Sequence, residues 1–150
     1  MKSRQLGIER KVHFLGPKPV EFLQSFLSEA DILVSARTKG NNTPMKIYPY
    51  LESGKPVLAT NLPTHTQVLD SKVAMLAEPS PSPFSEAMLR LIADKDVRTS
   101  LGIAGKRLAE EQFSYTAFRD KLNLFLDDLE GEILRVRKNG TAGHQSKTPS

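Results

Sequence analysis

Three short and almost wholly apolar runs, separated by longer segments, constrain the fold more than any other feature of this sequence. They read ILVSA at 32–36, PVLAT at 56–60 and VAMLA at 73–77. Because these runs are apolar throughout, we expect strands that are buried on both faces. Strands that alternate with helices along a chain form a mostly parallel sheet. The sequence therefore predicts an α/β fold: an incomplete Rossmann-like, doubly wound parallel sheet flanked by helices.

A fourth strand and five helices are predicted around these runs. The strand covers residues 12–15 (VHFL) and stops at Gly16-Pro17. Apolar residues at helical spacing predict helices over about 20–30, 84–92, 97–108 and 115–133, the last of these with Ser114 as its N-cap. A further helix is predicted over 44–53. It has Thr43 as its N-cap, Pro44 as its first residue and Gly54 as its left-handed C-terminal cap.

The remaining segments set the domain limits. The proline-rich residues 78–83 are predicted to be a stiff linker, and a short helix is expected within 61–69. Residues 138–150 contain almost no large apolar side chains and are predicted to be a disordered tail. The folded domain therefore spans residues 1–137.

Composition excludes several classes of function. The chain has no cysteine, so a disulfide or a thiolate site is ruled out. Of the three histidines, His13 falls in a predicted strand and His144 in the tail, so no metal site is expected. The net charge of +4 is typical of a solvated surface rather than of a nucleic-acid-binding protein. We expect a cytoplasmic protein, with peripheral contact to an acidic membrane as the alternative.

One loop combines several basic residues with no acid. No Asp or Glu lies between Asp31 and Glu52, whereas Arg37, Lys39 and Lys46 are basic. Parallel sheets bind ligands outside the carboxyl ends of their strands, which here places the loops at 16–19, 36–44 and 60–66 at the site. A lysine in the first turn of a helix opposes the helix dipole unless an anion is bound there. The alternative is an ordinary surface helix without a ligand.

Two other residues near this loop are unusual. Pro49 within the helix predicted over 44–53 is expected to cost about 3 kcal/mol through a lost hydrogen bond, or to mark a tolerated kink. His65, in a loop after a strand, is a candidate contact for a ligand. The alternative is a histidine that only hydrogen-bonds to its neighbours.

The segment KIYPYLESGKPVLAT at 46–60 resembles the C-terminal, donor-binding half of the group 1 (family 4) glycosyltransferases of the GT-B fold. The segments VHFLG, ADILVSAR and LGIAGKRLAEEQFSY agree in order, so the resemblance covers residues 6–130. It implies a domain truncated at its N-terminal side, without its first two strands, their glycine-rich turn and a basic pair.

The resemblance implies a nucleotide-diphosphate sugar as donor substrate, transfer with retention, and no metal or other cofactor. The donor phosphate and sugar would contact the loop Asn41, Asn42, Thr43, Pro44, Met45 and Lys46, and the nucleobase would lie near Gly16, Pro17 and Lys18. Arg37 and Lys46 would stabilise the leaving group. The family's two glutamates align with Asn41 and Pro49, so neither acid is present here.

The resemblance leaves two functions open. In the first, the chain is the donor-binding domain of a glycosyltransferase, weakly active or inactive in isolation and completed by an N-terminal acceptor-binding domain or a partner chain. In the second, it is a non-catalytic fragment or scaffold module of the same fold that acts through protein contacts.

Overall fold

The structure, a computed structural model, describes the backbone of residues 2–141 and the side chains of residues 2–136. Its sheet has three strands, β1 (Leu33–Ser35), β2 (Val57–Thr60) and β3 (Met75–Ala77), in the order β1-β2-β3. Both pairs are parallel, with Leu33 opposite Val57 and Leu58 opposite Met75. The three apolar runs are therefore confirmed as the strands of a parallel sheet.

Helices surround the sheet. In chain order they are α1 (Lys2–Gln5), α2 (Leu23–Glu29), α3 (Ile47–Glu52), α4 (Pro63–Thr66), α5 (Pro81–Ala93), α6 (Lys95–Leu108) and α7 (Tyr115–Thr141). Short 3₁₀ turns cover Glu9–Lys11 and Val20–Phe22, and a π-helical turn, Ala109–Phe113, joins α6 to α7. The predicted disordered tail begins at residue 138, inside the last turn of α7, and its residues 142–150 lie outside the described part of the chain.

Apolar side chains form two buried clusters. One contains Leu33, Val57 and Ala59 of the sheet, packed against α2 and α3. The other contains Leu58 and Ala77, packed against α5 and α6. Because neighbouring residues of a strand point to opposite faces, Val57 and Leu58 place the clusters on the two sides of the sheet. Helices therefore cover both faces of the sheet, as the apolar strands predicted.

The strand predicted over residues 12–15 is wrong. These residues are not part of the sheet. Val12 has extended backbone angles, but Phe14 and Leu15 are 67% and 53% exposed. An extended segment becomes a strand only when a neighbouring strand supplies hydrogen bonds, and no strand of the described residues lies beside this one.

The linker predicted over residues 78–83 is also wrong over its second half, residues 81–83. Helix α5 already begins at Pro81, with Ser80 as its N-cap residue. Pro81 and Pro83 both fall in the first turn, where backbone N–H groups have no partner inside a helix. The prolines therefore start the helix instead of stiffening a linker.

The last helix begins at Tyr115 as predicted but continues to Thr141 instead of ending near residue 133, and its apolar stripe is not covered. The Ser114 hydroxyl caps it, accepting a hydrogen bond from the Ala117 amide at 3.1 Å. The apolar stripe is exposed by 42% or more at every position, namely Tyr115, Phe118, Leu122, Leu126, Leu129 and Ile133. None of the helices within residues 2–141 combines the length and apolar character needed to cross a bilayer.

The start of α6 gives a testable prediction. The Asp94 carboxylate accepts a hydrogen bond from the Val97 amide at 2.9 Å, whereas the N-cap Ser80 of α5 makes no such bond with its side chain. We expect Asp94→Ala to lower the free energy of unfolding by about 1 kcal/mol. Ser80→Ala should change it by a few tenths of a kcal/mol at most. Urea denaturation checks both, and equal losses would contradict the assignment of the cap.

Candidate functional site

The carboxyl ends of the three strands meet at a cleft of about 400 Å³. Its walls come from the loop after β1, the end of β2 and the first turns of α5: Ala36, Arg37, Thr38, Thr60, Pro79, Ser80, Pro81, Phe84, Ser85 and Met88. Small-molecule sites are commonly clefts of about 300–1,000 Å³ at this edge of an open α/β sheet. The cleft thus lies at the edge of the sheet where the sequence placed the loops 36–44 and 60–66.

Arg37 is the charged side chain of this cleft, and several hydrogen bonds hold it in place. Its backbone amide donates to Thr60 Oγ1 at 3.3 Å. Its Nη1 donates to the carbonyl oxygen of Asn42 at 3.3 Å and to Thr64 Oγ1 at 3.4 Å. None of these partners is an acid, so no carboxylate among them offsets the charge of the guanidinium.

Lys46 supplies a second cation close to the end of β1. Its Nζ donates to the carbonyl oxygen of Val34 at 3.3 Å and lies 5.6 Å from the centre of the Tyr50 ring. Partial burial, followed by the charge of Arg37, lowers the pKa of Lys46. The two cations therefore lie close enough to repel each other. The two salt bridges found in the described residues are Arg107–Glu111 and Arg119–Asp120, so neither cation has an acidic partner there.

The helix start predicted at Thr43 and Pro44 is wrong. The chain makes a turn at 44–46, in which the Ile47 amide donates to Pro44 O at 3.0 Å, and α3 begins only at Ile47. Lys46 is therefore the N-cap residue, and the dipole of a six-residue helix is no argument for a phosphate at Thr43.

The expected cost of Pro49 disappears for the same reason. Pro49 is the third residue of α3, and the first-turn N–H groups of a helix have no partner within it. No hydrogen bond is lost to the proline ring. The predicted kink, with its penalty of about 3 kcal/mol, is wrong.

Residues 41–45 are held by α4 and by the residue that follows it. Gln67 Nε2 donates to Asn41 O at 2.8 Å, and the Thr43 hydroxyl donates to Gln67 Oε1 at 3.2 Å. Thr64 Oγ1 donates to Asn42 O at 2.6 Å. Pro44 is buried and Met45 is 78% exposed. The structure thus joins most of this loop to α4.

His65 is fully buried, with no exposed surface, although the sequence placed it in a loop. Its Nδ1 lies 2.9 Å from Thr60 O, and its Nε2 lies 2.8 Å from Ser35 Oγ. The position of the ring excludes direct contact with a ligand in this conformation. The alternative, a histidine that hydrogen-bonds to its neighbours, is what the structure shows.

The structure does not bring all the predicted residues together. Gly16, Pro17 and Lys18 are exposed, and neither they nor residues 41–46, which were predicted to bind the donor phosphate and sugar, are among the residues that line the cleft. Conversely, Thr60 and Thr64 were predicted only as part of the loop 60–66 and were not singled out, and Phe84 and Met88 were missed. No motif signalled Phe84 or Met88, which the sequence analysis assigned to the apolar face of a helix. No group of three or more His, Cys, Asp or Glu side chains that could hold a metal ion was found in the described residues.

These observations define the class: a Rossmann-like α/β domain with a parallel sheet and a cleft, lined by the cation Arg37, at the carboxyl ends of its strands. The sequence profile described as "Glycosyl transferases group 1" matches residues 1–94. This chain belongs to the group 1 glycosyltransferases.

Two curated relatives show how wide this family is. The chain is 30% identical over 132 residues to the alpha-1,3/1,6-mannosyltransferase ALG2 of Dictyostelium discoideum, covering 85% of this chain and 30% of the relative. It is 32% identical over 136 residues to the D-inositol 3-phosphate glycosyltransferase of Corynebacterium aurimucosum, covering 87% and 31%. The chain therefore spans about a third of the length of these relatives.

Among solved structures, Alr3699/HepE of Anabaena in complex with UDP and glucose has a TM-score of 0.74. It is 19% identical in sequence, and the alignment covers 85% of this chain and 35% of that one. At this level of identity the likeness shows a shared fold.

Proposed function

We propose that this chain is the nucleotide-sugar donor-binding part of a group 1 glycosyltransferase, with the donor diphosphate bound between Arg37 and Lys46. The observation that carries this proposal is the pair of cations at the strand ends. Each lies near the other, and neither is in a salt bridge with an acid of the described residues. An anion between them would relieve their repulsion.

The surroundings of the two cations support a ligand larger than a simple ion. Arg37 lines the cleft of about 400 Å³, whose other walls include the apolar side chains of Phe84 and Met88. A charged group at Arg37 would therefore leave room beside it for an uncharged portion of the same molecule. The complex of the structurally similar Alr3699/HepE with UDP and glucose agrees with a donor of this class.

In a complete enzyme these cations would act on the leaving group. Transfer of the sugar, proposed to occur with retention, breaks the bond between the anomeric carbon and the diphosphate and leaves negative charge on the diphosphate oxygen. Fixed positive charges at that position stabilise the transition state more than the ground state. Asn41 would contact a sugar hydroxyl. The nucleobase site at Gly16, Pro17 and Lys18 and an acceptor-binding domain outside this chain belong to the same proposal.

Pro49 favours the second candidate function, a non-catalytic module of the same fold. It occupies a position where the family resemblance implies a glutamate, and its ring has no group that could hydrogen-bond to a ribose. A module of this kind would keep the fold and lose donor affinity.

Calorimetric titration with UDP, GDP and ADP separates the two candidates. We expect at least one diphosphate to bind with a submillimolar Kd, and Lys46→Glu to weaken it by about 10- to 100-fold, as for loss of a charged hydrogen bond. Lys39→Glu is the matched control, because Lys39 is also exposed between β1 and α3 but, unlike Lys46, makes no side-chain hydrogen bond to a strand within the described residues. If both variants lose the same affinity, the effect comes from the change in net charge and not from contact of Lys46 with the diphosphate. An absence of binding at millimolar ligand, in a chain folded by circular dichroism, would support the non-catalytic module.

A further inference from the structure

The buried His65 connects three elements that carry the cleft. It lies on α4, and its ring reaches Ser35 at the end of β1 and Thr60 at the end of β2. All three residues are 2% exposed or less. A polar residue buried this completely must have its hydrogen bonds satisfied by protein groups, so its protonation state affects each partner.

The geometry selects one neutral tautomer. A carbonyl oxygen can only accept, so Nδ1, which lies 2.9 Å from Thr60 O, must carry the proton. Nε2 is then unprotonated and accepts a hydrogen bond from the Ser35 hydroxyl at 2.8 Å. Both ring nitrogens are satisfied only in this form of the imidazole.

From His65 the hydrogen bonds continue to Arg37. Thr60 Oγ1 lies 3.1 Å from His65 Nδ1 and also accepts the hydrogen bond of the Arg37 amide. Thr64, the neighbour of His65 on α4, holds both the Arg37 guanidinium and the carbonyl group of Asn42. The ring thus fixes Thr60 directly and Thr64 through the backbone of α4, and these two threonines orient Arg37 and the loop at 37–42.

We propose that His65 is a positioning residue for the donor site, which holds Arg37 in place while its ring is neutral and releases it when the ring is protonated. This proposal rests on the proposed function. Its consequence is that affinity for a nucleotide-sugar donor falls as the pH becomes acidic.

The charges around the ring all act in one direction. The loop after β1 contributes Arg37, and the turn before α3 contributes Lys46. The groups contributed by β1, β2 and α4 are the uncharged Ser35, Thr60 and Thr64. Burial lowers the pKa of His65; the hydrogen bond with the Thr60 backbone opposes this, and the charges of Arg37 and Lys46 lower the pKa further.

Protonation changes the hydrogen bonds as well as the charge. With a proton on Nε2, the ring becomes the donor and the Ser35 hydroxyl must rotate to accept its hydrogen bond. The Ser35 hydroxyl then can no longer donate its own hydrogen to the ring. The buried imidazolium then lies near two cations, Arg37 and Lys46. Within the described residues it has no salt bridge to a carboxylate. Separation of α4 from β1 would relieve both effects, and Arg37 would lose its anchor on Thr64.

The test uses UDP-glucose, since both of its phosphates are esterified, whereas the terminal phosphate of UDP titrates near pH 6, at about the second pKa of a phosphate ester. We expect the affinity of the unmodified chain to be constant above about pH 7 and to fall by up to tenfold per pH unit below the pKa of His65. His65→Gln should bind with a flat pH profile, and His13→Gln, at an exposed position, should keep the profile of the unmodified chain. A flat profile in the unmodified chain, or the same fall in His65→Gln, would overturn the proposal.

Two further measurements cover failure of a variant to fold and failure of the proposed function. Ser35→Ala removes the donor to Nε2 and should move the midpoint of the binding profile to higher pH, a shift that a merely structural role would not produce. In the ligand-free chain, the NMR signals of the Arg37 and Thr64 amides should titrate together with the His65 ring. Amides that ignore the ring would overturn the positioning role. UDP-glucose that binds at no pH would instead overturn the proposed function, and the ligand-free titration would still decide the role of His65.

Discussion

Gly102→Ala is expected to destabilise the protein by about 2–4 kcal/mol and to lower its melting temperature by about 5–15 °C. A methyl group at Gly102 of α6 would overlap the carbonyl oxygen of Gly54 and lie 3.1 Å from its carbonyl carbon. Because these are backbone atoms of the turn that ends α3, they cannot move aside as a side chain would. The gain of about 1 kcal/mol from replacing glycine by alanine in a helix is smaller than this cost.

The residue on the other side of this contact makes relaxation harder. Gly54 has a φ of +71°, the left-handed conformation in which glycine is favoured, and it connects α3 to β2. A shift of this turn would displace Leu51, which is 1% exposed in the core. The overlap is therefore relieved mainly by moving α6 away from α3.

Gly131→Ala is the matched control for this substitution. Gly131 is also within a helix, α7, but a methyl group there would meet nothing within 4 Å. We expect the melting temperature of Gly131→Ala to be unchanged or higher by a few degrees, because alanine is favoured over glycine in a helix by about 1 kcal/mol. Thermal unfolding followed by circular dichroism measures both variants. A Gly102→Ala chain as stable as Gly131→Ala would show that α6 does not pack on the turn at Gly54.

The strands and most helices could be predicted because their causes are local. The apolar runs at 32–36, 56–60 and 73–77 need burial on both faces whatever surrounds them, and all three became strands. Gly54 was identified as a C-terminal cap because that position requires a left-handed conformation, and Ser114 as an N-cap because of its hydroxyl group. Both residues act as predicted. The sequence also placed Arg37 and Lys46 at the strand ends, since the order of elements determines which loops lie there.

The wrong predictions have tertiary causes. Thr43 was expected to cap a helix, but its hydroxyl donates to Gln67, 24 residues along the chain, and the helix begins four residues later. Residues 12–15 have the composition of a strand but no neighbouring strand. His65 looked like a loop residue because its partner Ser35 is 30 positions away. Hydrogen bonds of this range are set by the packing of α4 against the ends of β1 and β2, which no local pattern encodes.

The same packing makes His65 the main source of acid sensitivity that we expect in the folded chain. Burial is the chief reason that the pKa of His65 is lowered in the folded state, and the cations Arg37 and Lys46 add to it. A histidine whose pKa is lower when folded binds a proton more readily when unfolded. Its contribution to stability is therefore complete above the unfolded value of about 6.5 and is lost as the pH falls towards the folded value.

We expect the free energy of unfolding to fall by up to about 1.4 kcal/mol for each pH unit crossed between these two pKa values. His65→Gln should be less stable at pH 7.5, because Gln cannot satisfy both Ser35 and Thr60 from the same position, and the acid-induced loss should be smaller. His13→Gln should follow the unmodified chain, since His13 is exposed. Urea denaturation between pH 7.5 and 5.0 measures all three. If the free energy of unfolding falls with pH equally in the unmodified chain and in His65→Gln, the acid sensitivity belongs to other groups. Protonation of His65 would then not destabilise the fold.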